Sequence, residues 1–182
     1  MPSKFKKFLQ RYRVFSGFLL AVAYFVLAAP TARSMAIGLP IALVGLALRA
    51  WACGHLRKSE ALDVSGPYAF TRNPLYLGTF IITIGFGLAS GVWGLFAVSM
   101  VLILSIYLPV INVEAEVLEA RLGEEYSEYA RNVPALFPRL RPWKKSHREF
   151  DFRLYLKNGE HHAAIGPVFA ALVLAAKVVL LD

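Results

Sequence analysis

The chain has 182 residues, the size of one domain, with 57% hydrophobic residues and a mean hydropathy of +0.52. A soluble domain of that size cannot bury so much apolar surface, so lipid must be part of its solvent. The net charge of +8 falls beside the hydrophobic blocks as a membrane-surface collar, which argues against a nucleic-acid site, and the lone Cys53 excludes an intrachain disulfide and a thiolate metal cage.

Nineteen uncharged residues, Val14 to Ala32, separate Arg13 from Arg33 and are long enough for a first transmembrane helix. A cleaved signal peptide is the competing reading, because Lys4, Lys6, Lys7, Arg11 and Arg13 precede the apolar run and Ala28-Ala29 would suit cleavage. Met35 to Gly54 forms the second block, with Pro40 inside it and Arg49 near its end, where a long side chain is expected to snorkel to the interface. Asn73 to Val113 then runs for 41 residues without a formal charge. As straight helix that would be about 60 Å, so the segment must fold back. Ala89-Ser90-Gly91 is the natural turn, giving helix three from about Leu75 and helix four from about Val92.

Beyond Val133, the prolines Pro134, Pro138 and Pro142 oppose regular helix, and a surface connector is expected. Its aromatic and basic residues, among them Trp143, Phe150, Arg153 and Tyr155, suit an interfacial helix against anionic headgroups. The alternation of Phe150, Phe152, Leu154 and Leu156 leaves a short strand open as well. Ala163 to Leu181 makes the fifth crossing, with Lys177 expected to snorkel at its far end.

These elements predict an all-α, polytopic membrane protein of about five transmembrane helices, with residues 1–182 forming a single domain. Of the basic residues, five lie in the amino-terminal arm, three in Gly54 to Arg72 and nine in Glu114 to His162. By the positive-inside rule all three segments, and the amino terminus, face the cytoplasm. The sequence is silent on oligomeric state.

The first inner segment, Gly54 to Gly78, reads GHLRKSEALDVSGPYAFTRNPLYLG. Gly66-Pro67 forces a turn, and Pro74 can open helix three without losing a hydrogen bond. Arg72, Asn73 and the free amides of that helix therefore share a small volume suited to a carboxylate or phosphate, with Tyr68 and Tyr76 as aromatic walls. The alternative is that Arg72 and the tyrosines are interfacial anchors.

The pattern Ser65-Gly66-Pro67-Tyr68 followed by Arg72-Asn73-Pro74-Leu75-Tyr76-Leu77-Gly78 resembles the signature of the isoprenylcysteine carboxyl methyltransferase and phospholipid methyltransferase superfamily. Arg-His-Pro-x-Tyr-x-Gly is the commoner form there, and Asn73 stands in place of the histidine. Glu114 to Pro138 resembles the second signature: Glu114 and Leu118 fit, Ala115 replaces a second glutamate, and Leu122-Gly123-Glu124-Glu125-Tyr126-Ser127-Glu128-Tyr129 fits with Leu for Phe. The resemblance covers Gly54 to about Arg141. It implies a cytoplasmic-face pocket for S-adenosylmethionine, with Lys58, Leu62, Tyr68, Arg72, Asn73, Pro74, Tyr76 and Glu114 at cofactor-contacting positions. Arg72 and Glu114 are the candidates for holding the polar ends and for the catalytic role, and no metal is implied.

The same resemblance implies a membrane methyltransferase acting on a lipidic or prenylated acceptor among membrane lipids. Val110 stands one helical turn before Glu114, where the eukaryotic carboxyl methyltransferases have an arginine associated with the acceptor. A prenyl thioether acid, a phospholipid amine and a phenolic or quinone lipid therefore all stay open. If the acceptor must lose a proton, His55, Glu114 or a tyrosine is the candidate base. Two other functions remain as alternatives. One is an NADPH-dependent reductase of the sterol type, which shares an Arg-His-x-x-Tyr-x-Gly element. The other is a non-catalytic membrane protein.

Overall fold

The structure is a computed structural model that describes residue 17 and residues 19–57, 62–144 and 148–181. Its described residues form seven α-helices and a 3-10 turn, with no strand among them. Helix α1 is described over 19–27. It is followed by α2 (Ala32–Cys53), α3 (Pro74–Ala89), α4 (Trp93–Leu122), α5 (Glu124–Asn132), α6 (Phe152–Lys157) and α7 (Glu160–Leu181). The strand left open around Phe150 to Leu156 is instead α6, opened by the Asp151 carboxylate, which accepts the Arg153 and Leu154 amides.

Helices α2, α4 and α7 are long and apolar enough to cross a membrane, while α3 is a shorter apolar helix of 16 residues. The start of the first expected crossing, at Val14, lies outside the described residues. Helix α4 has 30 residues, about 45 Å, against about 30 Å of hydrocarbon. Its last turns, with Glu114, Glu116, Glu119 and Arg121, are thus free to project beyond the lipid.

Local chemistry explains where the helices begin. Thr31 caps α2 by accepting the Ser34 amide, and the Ser34 hydroxyl accepts the Thr31 amide in return. At that end Ser34 Oγ also donates to Ala89 O of α3, and Ala29 N donates to Ser90 O. Pro74 opens α3 where its missing N–H costs nothing.

Helices α2 and α3 pack along small residues. A Cβ on Gly45 would lie 2.6 Å from Gly78 O and 2.8 Å from Ile82 N, and Gly85 crowds the backbone of Ala42 in the same way. Backbone atoms cannot swing aside, so the helices hold this separation only with glycine there. Gly45→Val is therefore expected to cost about 1–3 kcal/mol, the usual penalty of overpacking, read as a lower unfolding midpoint in detergent.

Two membrane-facing cations depart from expectation. Arg49 does not snorkel: its Nε and Nη2 donate to the Glu160 carboxylate at 2.6 and 3.0 Å, and its Nη1 donates to Thr79 Oγ1 at 2.6 Å. The pair is largely buried, with side-chain exposures of 19% and 8%. Lys177 likewise turns inward, its Nζ donating to Phe25 O, Val26 O and Ala28 O around the end of α1. A helix end leaves carbonyls unmet, and a cation there satisfies them better than it would at the interface. Both correct the snorkelling expectation. The fifth helix also starts at Glu160, three residues earlier than hydropathy suggests.

Candidate functional site

The segment between α2 and α3 is shaped by a 3-10 turn, Gly66–Ala69. Gly66 has φ +53°, and a Cβ there would meet the His55 ring at 2.6 Å, so glycine is required on two counts. The His55 ring is thereby held on the turn, with Nδ1 3.1 Å from Ser65 Oγ. Burial pulls the His55 pKa below its usual value, keeping the ring neutral.

The chain leaving α5 lies along the other side of this loop. Arg72 N donates to Pro134 O, Arg139 N to Phe70 O and Trp143 N to Ala69 O, at 2.9–3.0 Å. Asn73 Nδ2 donates to Ala135 O at 2.8 Å, and Thr71 Oγ1 to Leu136 O at 3.0 Å. Asn73 thus spends its side-chain N–H across the interface and makes no side-chain cap to α3. Side chains complete the closure. Tyr129 Oη donates to Tyr68 O at 2.7 Å, Arg72 Nη1 donates to Tyr126 Oη at 3.1 Å, and Tyr76 Oη donates to Glu114 Oε1 at 2.8 Å.

These contacts enclose a cavity of about 460 Å³ at the end of the bundle shared by the close of α2, the start of α3 and the last turns of α4. Leu62, Tyr68, Arg72, Asn73 and Glu114 all line it. Pro74 and Tyr76 stand behind the wall. Pro74 is fully buried, and Tyr76 packs on Tyr107 at 5.0 Å between ring centres while holding Glu114. Lys58 lies outside the described residues.

The cavity also takes residues that sequence reasoning passed over as site residues, namely Arg57, Asp63, Ile111, Arg121, Tyr126 and Tyr129. The two tyrosines carried a signal, the Tyr-x-x-Tyr spacing that puts both on one face of α5. Asp63 carried less, as an acid next to Leu62. Burial pushes the Tyr68 and Tyr129 phenols well above their usual range, so both hydroxyls stay protonated. Asp63 is pushed up by burial as well, against the pull of the Arg57 amide and Arg148.

The electrostatics of the wall are mixed, with Arg72 and Arg57 beside Asp63 and Glu114. Arg72 Nε is buried without a hydrogen-bond partner among the described residues. Such a wall suits a ligand with both charges and a flat aromatic part.

The model of the phospholipid methyltransferase family matches residues 13–125, well over half of the chain. The chain belongs to the phospholipid methyltransferase family. This family sits within the wider isoprenylcysteine and phospholipid methyltransferase superfamily. The match takes in α1 through α4 and ends at the start of α5, inside the second signature segment. Two curated relatives are similar to this family member. It is 36% identical over 106 residues to the nickel-cobalt-cadmium resistance protein NccN of Alcaligenes xylosoxydans xylosoxydans. It is equally identical over 106 residues to the cobalt-zinc-cadmium resistance protein CzcN of Cupriavidus metallidurans. Each alignment takes in 57% of this chain but only 48% and 47% of the relative, so the chain spans about half the length of the curated relatives it matches. No solved structure matches the chain.

Proposed function

We propose that this protein is a membrane-embedded methyltransferase that uses S-adenosylmethionine and methylates a lipidic acceptor. The observation that carries this reading is a cavity of about 460 Å³ walled by both signature segments in a chain of this family. Small-molecule sites run from about 300 to 1,000 Å³, so a nucleoside-sized ligand suits the space. The family match favours methyl transfer over the sterol-type reductase.

When bound, the cofactor supplies an electrophilic methyl group on a cationic sulfonium, open to in-line displacement. What the chain must do is hold, align and keep dry. The Arg72 guanidinium, which lines the cavity, takes a carboxylate. The exposed Glu114, oriented by Tyr76, accepts from hydroxyl groups. The Tyr68 and Tyr126 rings offer faces to a cation or a flat base. Ile111 and Leu118, on the α4 wall, present the apolar side by which a lipid tail could lie against the reacting atoms and exclude water. We place this end of the bundle at the cytoplasmic face, because two of the basic segments, Gly54 to Arg72 and Glu114 to His162, meet there. An anionic acceptor would need no base. An amine or phenol would need one, and Glu114 is the accessible carboxylate for it.

The names of the two relatives speak of metal resistance. Among the described residues no group of three or more His, Cys, Asp or Glu side chains could hold a metal ion, so no observation favours metal binding as a second reading.

Calorimetry with S-adenosylhomocysteine on the purified protein tests the cofactor, and no binding at millimolar ligand would end the reading. Methyl-labelled cofactor with a total lipid extract then identifies the acceptor by its labelled product. Arg72→Ala and Glu114→Ala should each weaken S-adenosylhomocysteine binding by at least about 1 kcal/mol, as loss of a hydrogen bond to a charged group requires. Wild-type affinity in both variants would mean the ligand sits elsewhere.

A further inference from the structure

The chain between α5 and α6 presents a second surface, apart from the cavity. Its stretch 134–143 is fixed by main-chain bonds to the loop ahead of α3: Pro134 O accepts the Arg72 amide, Arg139 N donates to Phe70 O and Trp143 N donates to Ala69 O. Between these points Phe137 is 80% exposed and Leu140 is 99% exposed. Pro138 and Pro142 stiffen the backbone beside them. A held loop that keeps a phenylalanine and a leucine outward is unfavourable in water and favourable against an apolar medium. The loop sits where such a medium begins. Arg139, between the two apolar residues, bonds Phe70, whose ring lies 6.4 Å from that of Trp51. Trp51 is exposed in the last turn of α2, one of the helices able to cross a membrane, and Phe70 stands just ahead of Pro74, which opens α3. This puts Phe137 and Leu140 at the level where α2 and α3 reach the membrane surface, the depth at which tryptophan is enriched.

Charge completes the pattern. From Val133 to Arg148 there is no acidic residue, while Arg139, Arg141, Lys144, Lys145 and Arg148 supply five cations. Arg141 is exposed next to Leu140, Arg139 Nη1 donates to Asn132 O, and Lys144 Nζ lies 3.9 Å from the centre of the Trp143 ring. Apolar side chains alternating with guanidinium groups fit a bilayer interface, where the first enter the acyl boundary and the second bond lipid phosphates. We propose that Phe137 and Leu140 insert into the leaflet at the cavity end of the bundle, with Arg141 on the phosphates of anionic lipid. The proposal does not depend on which ligand the cavity holds. Because Arg72 N and Asn73 Nδ2 both bond this stretch, the leaflet then steadies the cavity wall from behind.

The test is electron paramagnetic resonance on the full chain in vesicles of phosphatidylcholine with and without phosphatidylglycerol. Phe137→Cys and Leu140→Cys each carry a nitroxide and keep the other anchor, while Leu43→Cys marks lipid and Glu125→Cys marks water, both positions being exposed. Cys53 is 2% exposed and stays in place, with wild type treated alike as the blank. Collisions with oxygen, which concentrates in lipid, against those with a water-soluble nickel chelate should put both loop labels nearer Leu43 than Glu125. Phosphatidylglycerol should shift them deeper, and Arg141→Gln should reduce that shift. Labels that follow Glu125 overturn the proposal, as do labels shielded from both reagents, the sign of a protein partner or a second copy on the loop. A depth indifferent to phosphatidylglycerol overturns the assignment of Arg141 to anionic lipid.

Discussion

Arg49→Met is expected to destabilise the protein by about 3–5 kcal/mol, the cost of leaving a buried charge without its partner. The Glu160 side chain is 8% exposed and takes two bonds from the one guanidinium, so it has no route to water when Arg49 is gone. The same substitution takes a donor from Thr79 Oγ1 and Leu75 O, which ties α2 to the first turns of α3. Arg49→Met combined with Glu160→Gln removes both charges together and should recover much of the loss, because paired replacement avoids the stranded anion. Thermal unfolding of wild type, Arg49→Met, Glu160→Gln and the double variant in one detergent measures this. A double variant as unstable as the sum of two singles would show that the two side chains do not act as a pair.

The location of this pair explains why it was hard to read. Arg49 was conspicuous as the single charge inside its apolar block, but its partner lies 111 residues away. Glu160 sits on the polar side of the hydropathy boundary, so the pattern assigned it to the connector. Once neutralised by Arg49 it behaves as a helical, buried residue, and α7 begins there. Hydropathy counts charges singly and cannot register that two of them cancel. Lys177 was illegible for a different reason: its partners are main-chain carbonyls around the end of α1, which carry no mark in the sequence.

The site was legible in a different way. Proline and glycine punctuation placed the ends of α3 and the turn before it, because those residues act through their own backbone. The two signature segments predicted a common pocket, and Leu62, Tyr68, Arg72, Asn73 and Glu114 do share one cavity. The zipper formed by 134–143 along 69–73 had no such mark, since it runs mostly through main-chain N–H and C=O groups that every residue has. Asp63 escaped because its distinction is burial, which an isolated acid in a polar segment does not announce.

Tyr129→Ala is expected to cost about 3–5 kcal/mol, the range for deleting a buried aromatic ring. Tyr129 is 2% exposed and packs with Tyr126 and Val133, its ring 5.6 Å from that of Trp143 and 6.3 Å from that of Tyr126. Tyr129→Phe keeps the ring and removes only the donor to Tyr68 O, so it should cost about 1–3 kcal/mol. The two substitutions thus separate packing from the hydrogen bond. Because α5 is a 9-residue helix with little apolar surface of its own beyond these tyrosines, the loss should concentrate there. Amide hydrogen exchange should show α5 and the 66–69 turn opening in Tyr129→Ala while α2 and α3 keep their protection. The wall shared by Tyr68, Tyr126 and Tyr129 would then loosen, and affinity for S-adenosylhomocysteine should fall with it. Equal costs for Phe and Ala would place the stabilisation in the hydroxyl alone. Uniform loss of protection across all helices would mean that α5 and the transmembrane bundle unfold as one unit, which would remove the basis for treating the pocket wall as a separately docked element.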